Sequence, residues 1–439
     1  MQNIDLIIKG GFVLQDDNDD HWTPRSIAVH HGLIIAIDDP DRIEMEYLPE
    51  VLLSAENKLV APGFINAHTH VSMAFYKGLA DDLPLLEWLN NHIWPMENKL
   101  TSREFVRDAA LFGCADMIKN GITMINEMYF LGMDAAVSAK KIGIRAVMGE
   151  GILDIPIAGY QNADDIIAYT REMYEQFRHE ELIDVFLAPH AIYTCGRSTL
   201  EKIIKLATEM NMPIHIHVSE TEKEVRDCLQ EHGVRPCEYL DRIELFSVPT
   251  IIAHGIWIDE NEQEILAEKN ISVAINTSSN LKLASGFAPI KDYLAKRVNL
   301  CLGTDGVASN NNLSMLGEMN LTAKLHKALN NDPTLLPAWQ VFRMANMNGA
   351  RALGKESQLG KLAPGWKADI ITVAINEINC QPIYDPFSHL VYTIIPEQIK
   401  EVIVNGKIIM KDRILLTVDE EELLDKALFY SKLINNLKI

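Results

Sequence analysis

The chain of 439 residues carries 61 acidic against 40 basic side chains, a net charge of −21, so nucleic acid and anionic membrane surfaces would meet net repulsion. Its 48% hydrophobic and 23% charged residues make an ordinary globular balance that excludes wholesale disorder; the length suits a ~250-residue α/β barrel with an accessory unit. The six cysteines form no CxxC pair, no basic and apolar leader opens the chain, and no apolar run approaches the ~20 residues of a membrane span; a cytoplasmic protein with no membrane or nucleic-acid partner is therefore expected.

Short strands are expected first, at Asp5 to Lys9, Ser26 to His30, Leu33 to Ile37 after a His31-Gly32 turn, and Leu52 to Val60 leading to Pro62-Gly63. Strand and helix then alternate. The strands are Phe64 to His68, Gly121 to Glu127, Arg145 to Leu153, Asp184 to His190, Pro213 to His217, Thr250 to His254, Ser272 to Thr277 and Asn299 to Asp305. Helical stretches such as Ser102 to Lys119, Ser198 to Asn211 and Asn261 to Lys269 separate them. About eight such units predict a parallel (β/α)8 TIM-like barrel. A doubly wound open sheet competes less well, because no GxGxxG follows the first strand. Beyond Gly360, strand Asp369 to Ala374 and a hairpin of Glu401 to Val404 and Lys407 to Met410, turning at Asn405-Gly406, bring back the opening pattern. A helix over Asp419 to Lys438 closes the chain, with Thr417 and Glu420 as its capping box. Residues 1–61 and 360–439 are thus expected to form one small β-sandwich domain with a terminal helix, around a barrel of residues 62–359.

The barrel strands end in unusual residues: His68-Thr69-His70, His190, His217, His254 and Asp305. All would lie around the C-terminal mouth, where such barrels place their active sites. His68 and His70 are two apart, so both face one side and can share an ion. Taken alone the pair reads first as polar strand-end residues; with His217, His254 and Asp305 at other strand ends the metal reading prevails. Imidazoles with one carboxylate suit Zn²⁺ best, and Fe²⁺ would also fit. Glu220, three residues past His217, is placed to move a proton for a water activated there; otherwise it is the solvated first turn of a helix. His215 shares the direction of His217 but lies deeper, where core packing is an equal reading. Other chemistries do badly. GxSxG, P-loop and HExxH motifs are absent, and Pro236-Cys237-Glu238-Tyr239 lacks the second cysteine of the small zinc deaminases.

Pro62-Gly63-Phe64-Ile65-Asn66-Ala67-His68-Thr69-His70, His217-x-x-Glu220, Ala253-His254 and Gly303-Thr304-Asp305 resemble the amidohydrolase superfamily over nearly the whole chain. Gly78 to Leu85, Ile93-Trp94-Pro95-Met96-Glu97, Asn280 to Gly286 and Asp305 to Asn311 are similar to strings of its 5′-methylthioadenosine/S-adenosylhomocysteine deaminases, a branch near the triazine hydrolases and chlorohydrolases. The resemblance implies one Zn²⁺ per subunit on His68, His70, His217 and Asp305. It implies Glu220 as proton shuttle, His254 as the histidine that orients or polarises the water, and Asp305 as a further catalytic group. It also implies substrate contacts at Glu97 (ribose hydroxyls), His190 and Ser309, besides Glu220 and Asp305. No lysine ends the fourth barrel strand, Leu187-Ala188-Pro189-His190, so a mononuclear site is expected. Glu150 stands near where relatives that bind S-adenosylhomocysteine carry arginines, and is expected to repel a carboxylate tail, with Met148 and Tyr160 as candidate lining for a methylthio tail. The implied activity is hydrolytic deamination of 5′-methylthioadenosine, and of adenosine and S-adenosylhomocysteine, by a homo-oligomer whose partner is a small nucleoside. The alternatives are a triazine, pterin or guanine-type aminohydrolase or chlorohydrolase, and a catalytically silent barrel scaffold.

Overall fold

The computed structural model describes residues 1–15 and 21–437. Five strands come first: β1 Gln2–Val13, β2 Arg25–His30, β3 Leu33–Asp38, β4 Tyr47–Ser54 and β5 Lys58–Pro62. The barrel follows as β6 Phe64–Thr69, β7 Ile122–Tyr129, β8 Arg145–Ile152, β9 Ile183–Pro189, β10 Ile214–Val218, β11 Thr250–His254, β12 Ser272–Ile275 and β13 Asn299–Leu302. The chain returns through β14 Ile370–Ala374, β15 Ile399–Val404, β16 Lys407–Lys411 and β17 Ile414–Leu415.

Strands β6 to β13 pair in chain order, and every pairing is parallel. The seam between β13 and β6 is closed by the segment after β13, where Asp305 N–H donates to the His68 carbonyl at 3.0 Å and Thr304 N–H to Asn66 Oδ1 at 2.9 Å. Gly303 permits this approach: a Cβ there would lie 2.4 Å from Asn276 Oδ1 and 2.9 Å from His68 N. Ile65, Ala67, Met124, Val147, Phe186, Ile251, Ala274 and Cys301 form one apolar cluster, closed off by Ala350, Leu353 and Leu359. They come from seven strands, so they meet inside the barrel. Alternate residues such as Met148, Ile152, Ile214 and Ile216 join the larger cluster shared with the surrounding helices.

The remaining strands form one mixed sheet, β17-β16-β15-β14-β5-β1-β2-β3, with β4 also on β1. β1 belongs to both halves. It pairs β4 up to Lys9 and β2 up to Gly11, with an irregularity in the latter between Ile8 and Gly11, and pairs β5 through Phe12 and Val13. One apolar cluster draws on both halves, including Leu6, Ile27, Val60, Ile370 and Ile403.

Three local expectations need correction. Leu52 to Val60 is not one strand, because Asn57 takes a left-handed φ of 59° and separates β4 from β5. A helix at Pro40–Glu46 was not expected, although Asp39 caps it and Pro40 occupies its first turn. The closing helix is Glu420–Leu437, and the expected Lys438 lies outside the described residues. Its first turn is held by Asp419, whose carboxylate accepts the Glu421 and Glu422 N–H groups, while Thr417 donates to the Ile142 carbonyl. The Thr417–Glu420 capping box is therefore absent. Among the described residues no helix is long and apolar enough to cross a membrane.

Candidate metal centre and substrate cavity

The C-terminal ends of the barrel strands converge on a group of imidazoles. His68 is the fifth residue of β6 and is fully buried; His70 follows one residue past the strand. His217 ends the inward-facing row of β10 and His254 is the last residue of β11. The Nε2 atoms of His68 and His70 lie 3.4 and 3.1 Å from Asp305 Oδ1, and those of His217 and His70 lie 3.4 Å apart. One ligand atom from each of His68, His70 and His217 falls within 4.8 Å of the others, as does one from each of His68, His254 and Asp305.

The outer ring nitrogens are all engaged. His70 Nδ1 meets the Met128 carbonyl, His217 Nδ1 the His190 carbonyl at 2.7 Å, and His68 Nδ1 the His215 Nε2 at 2.9 Å. A carbonyl can only accept, so His70 and His217 carry protons on Nδ1 and leave Nε2 as the atom turned toward the shared centre. Burial lowers the His70 pKa but the Asp305 carboxylate 3.1 Å away outweighs it and raises it to about 9, so a positive charge is favoured at this point, and the buried His68 Nε2 has no hydrogen-bond partner among the described residues. This donor set fits a divalent cation, with neutral imidazoles anchored from behind by hydrogen bonds.

Asp305 has a left-handed φ of 59°, a conformation an aspartate tolerates better than most residues. Its Oδ2 accepts the Ser279 and Ser309 hydroxyls at 2.6 and 2.8 Å. Burial alone would raise its pKa, but His68 and His70 together outweigh that and hold it well below the usual carboxylate range. Glu220 is also buried, and burial raises its pKa against the opposing pull of His254. It precedes the helix Glu222–His232, which Thr221 caps, so it is not that helix's solvated first turn. Glu224 fixes the approach by accepting the Ser219 and Glu220 N–H groups at 2.8 and 2.9 Å. His254 has its Nδ1 2.8 Å from Asn280 Oδ1, which places Nε2 3.7 Å from Glu220 Oε2.

These groups open into a cavity of about 710 Å³, counted out to its mouth. His70, His190, His217, Glu220, His254, Asp305 and Ser309 line its polar part. Trp88, Leu89, Ile93 and Trp94, from the helical segment after β6, form an apolar wall with Phe130 and Leu153. Glu97 lines the same cavity, and burial raises its pKa to about 7. The structure thus gathers His68, His70, His217, Glu220, His254 and Asp305 at one point and places Glu97, His190 and Ser309 on the walls. The Ser309 hydroxyl is turned to Asp305.

Glu150, Met148 and Tyr160 do not line the cavity. Alternation along β8 turns Gly151 inward and Met148, Glu150 and Ile152 outward. The Glu150 carboxylate accepts the Leu131 and Gly132 N–H groups at 2.6 and 2.7 Å and the Tyr160 hydroxyl at 2.9 Å. The expectation that Glu150 faces a substrate tail is corrected accordingly. Residue reasoning also missed Ser279, Asn280, Glu224 and the supporting contact of His215. Only Glu224 left a local signal, one helical turn beyond Glu220.

A profile of the amidohydrolase family matches residues 59–409. The chain is 44% identical over 375 residues to a 5-methylthioadenosine/S-adenosylhomocysteine deaminase of Thermodesulfovibrio yellowstonii, covering 85% of each chain. It is 40% identical over 427 residues to the protein of the same name from Aquifex aeolicus, covering 97% of each. Its fold is similar to the crystal structure of an adenosine deaminase from Xanthomonas campestris with bound zinc, at a TM-score of 0.96, 36% identity and 99% coverage of each chain.

Proposed function

This chain belongs to the amidohydrolase family, among its 5-methylthioadenosine/S-adenosylhomocysteine deaminases, and is a metal-dependent aminohydrolase; we propose that it deaminates the adenine ring of 5′-methylthioadenosine and adenosine, with Zn²⁺ as the cation. The observation that carries this reading is one cavity holding both the buried imidazole–carboxylate cluster and, on its wall, the buried acid Glu97.

His68, His70, His217 and Asp305 would hold the cation. When bound it supplies Lewis acidity, which brings the pKa of a water from ~16 toward ~7. Glu220 accepts the proton that this water loses and delivers it to the purine N1; its raised pKa keeps it competent in both directions. The net step is addition of water across the N1–C6 bond. His254, oriented by Asn280, faces the oxygen with Nε2 and stabilises the charge that develops there. Asp305, positioned by Ser279 and Ser309, relays the second proton to the exocyclic amine; the C6–N6 bond breaks and ammonia leaves an inosine-type product. Glu97 binds the ribose hydroxyls, and His190 and Ser309 flank the ring.

The tail of the substrate would meet apolar side chains, and among the described residues no lysine or arginine lines the cavity. A thioether tail is therefore favoured over the charged tail of S-adenosylhomocysteine, on cavity composition rather than on Glu150. Ammonia release from 5′-methylthioadenosine, adenosine, S-adenosylhomocysteine, adenine, cytosine and a chlorotriazine tests this ranking. Turnover of adenine or the chlorotriazine above the nucleosides would favour another heteroaromatic aminohydrolase or chlorohydrolase. A purified protein without a stoichiometric cation and without turnover would favour a silent scaffold.

A further inference from the structure

His215 is fully buried directly beneath the imidazole cluster, and none of the steps above uses it. Its Nε2 lies 2.9 Å from His68 Nδ1, and its own Nδ1 is buried with no hydrogen-bond partner among the described residues. The rings stand at 82° to one another with centroids 5.0 Å apart, an edge-on arrangement that aims one nitrogen at the other. His68 differs from its neighbours in this support. His70 and His217 are backed by main-chain carbonyls, which accept only and so fix a proton on Nδ1. A histidine behind His68 can either accept or donate, so the tautomer of His68 is coupled to that of His215.

Ligation through His68 Nε2 requires a lone pair there, and hence a proton on Nδ1. That proton must be donated to His215 Nε2, which then carries its own proton on the unpartnered Nδ1. In the opposite arrangement His215 Nε2 donates, and His68 Nε2 bears a proton aimed at Asp305 Oδ1, 3.4 Å away. Only the first arrangement can bind a cation.

We propose that His215 is a positioning residue for the metal centre, acting as the acceptor that holds His68 in its ligating tautomer and orientation. This rests on the metal reading above. It predicts that what matters at position 215 is an acceptor aimed at His68, not the imidazole itself.

The test uses the full-length protein stripped of metal and titrated with Zn²⁺ against a chromogenic chelator, with thermal unfolding of each metal-free variant recorded beside it. His215→Leu, which fills the site but accepts no hydrogen bond, is expected to bind zinc about 10- to 100-fold more weakly, the usual loss when a partner behind a ligating histidine is removed. His215→Gln, whose carbonyl can accept the same proton, is expected to stay within about threefold of the native affinity. Should the leucine variant fail to fold, the glutamine variant decides alone: near-native affinity supports the proposal and a tenfold loss overturns it. Equal losses in both variants, or native affinity with leucine, also overturn it. Failure of the native protein itself to bind zinc would overturn the metal reading as well, and so is distinguishable from failure of this proposal alone.

Discussion

At the scale of single residues, the proposed chemistry depends on two buried acids doing different work. Glu220 lies 3.7 Å from His254 and is held by Glu224 through main-chain N–H groups, so Glu220→Gln should leave the backbone and the cation site in place. Zinc content is expected to stay stoichiometric while kcat falls by about 10²- to 10⁴-fold, the usual contribution of a general acid–base group. A variant with native turnover would remove Glu220 from the proton path. Glu97 is a binding group instead, and burial sets its pKa at about 7. A raised carboxyl pKa means the neutral form persists to higher pH, and the ionised, stronger acceptor appears only above it. With charge-assisted hydrogen bonds of about 1.5–3 kcal/mol each to ribose hydroxyls, kcat/KM for 5′-methylthioadenosine should climb as pH rises through about 7. Glu97→Gln should flatten that limb and lower kcat/KM by roughly tenfold to a thousandfold, with far less effect on adenine. An unchanged limb in the variant, or an equal loss on adenine, would take Glu97 out of the ribose contact.

At the scale of elements, what could be read in the sequence was whatever repeats with the strand. All eight barrel strands overlap their expected ranges because each is an apolar run bounded by turn residues, and the polar residues stood out because they interrupt those runs at the C-terminal ends. What failed was register. Glu150 sits two residues from the end of β8, close to the mouth in sequence, but the side-chain period of two turns it to the helix layer, where it staples the start of the helix Gly132–Ile142. Likewise, the supports of Asp305 and His254 come from Ser279 and Asn280, on a short helix after a different strand, and local pattern carries no trace of such contacts. The Glu150 assignment makes its own prediction. Glu150→Gln keeps one acceptor and sets an amide N–H against a main-chain N–H, so stability should fall by about 1–3 kcal/mol, read from the denaturant midpoint. The ratio of kcat/KM for S-adenosylhomocysteine to that for 5′-methylthioadenosine should not change. A selective gain on S-adenosylhomocysteine would return Glu150 to the substrate tail.

At the scale of the whole molecule, the sheet built from both chain ends is tied to the barrel at the face away from the cavity. Arg145 opens β8 and Asp369 immediately precedes β14, 224 residues later. Their side chains are 7% and 5% exposed, with Arg145 Nε 2.7 Å from Asp369 Oδ2. Arg145 also donates to the Glu181 carbonyl and to Asn405, whose own N–H returns to Asp369 Oδ1 at 2.8 Å. One guanidinium therefore joins β8 and the segment entering β9 to the residue before β14 and to the turn between β15 and β16. Burial of this depth makes the pair costly to break: removing one partner leaves a desolvated charge, at about 3–5 kcal/mol, whereas replacing both by apolar groups can be close to neutral. Arg145→Met should lower the free energy of unfolding by that amount, read from the shift of the denaturant midpoint. Because the change lies at the N-terminal end of its strand, where barrels keep stability rather than catalysis, kcat at 25 °C should remain near native. The double variant Arg145→Met with Asp369→Leu should recover much of the loss, a coupling that only a directly interacting pair produces. If the single variant unfolds at the native midpoint, or if the two losses simply add, the junction is held by the apolar contacts of β14 and β15 instead.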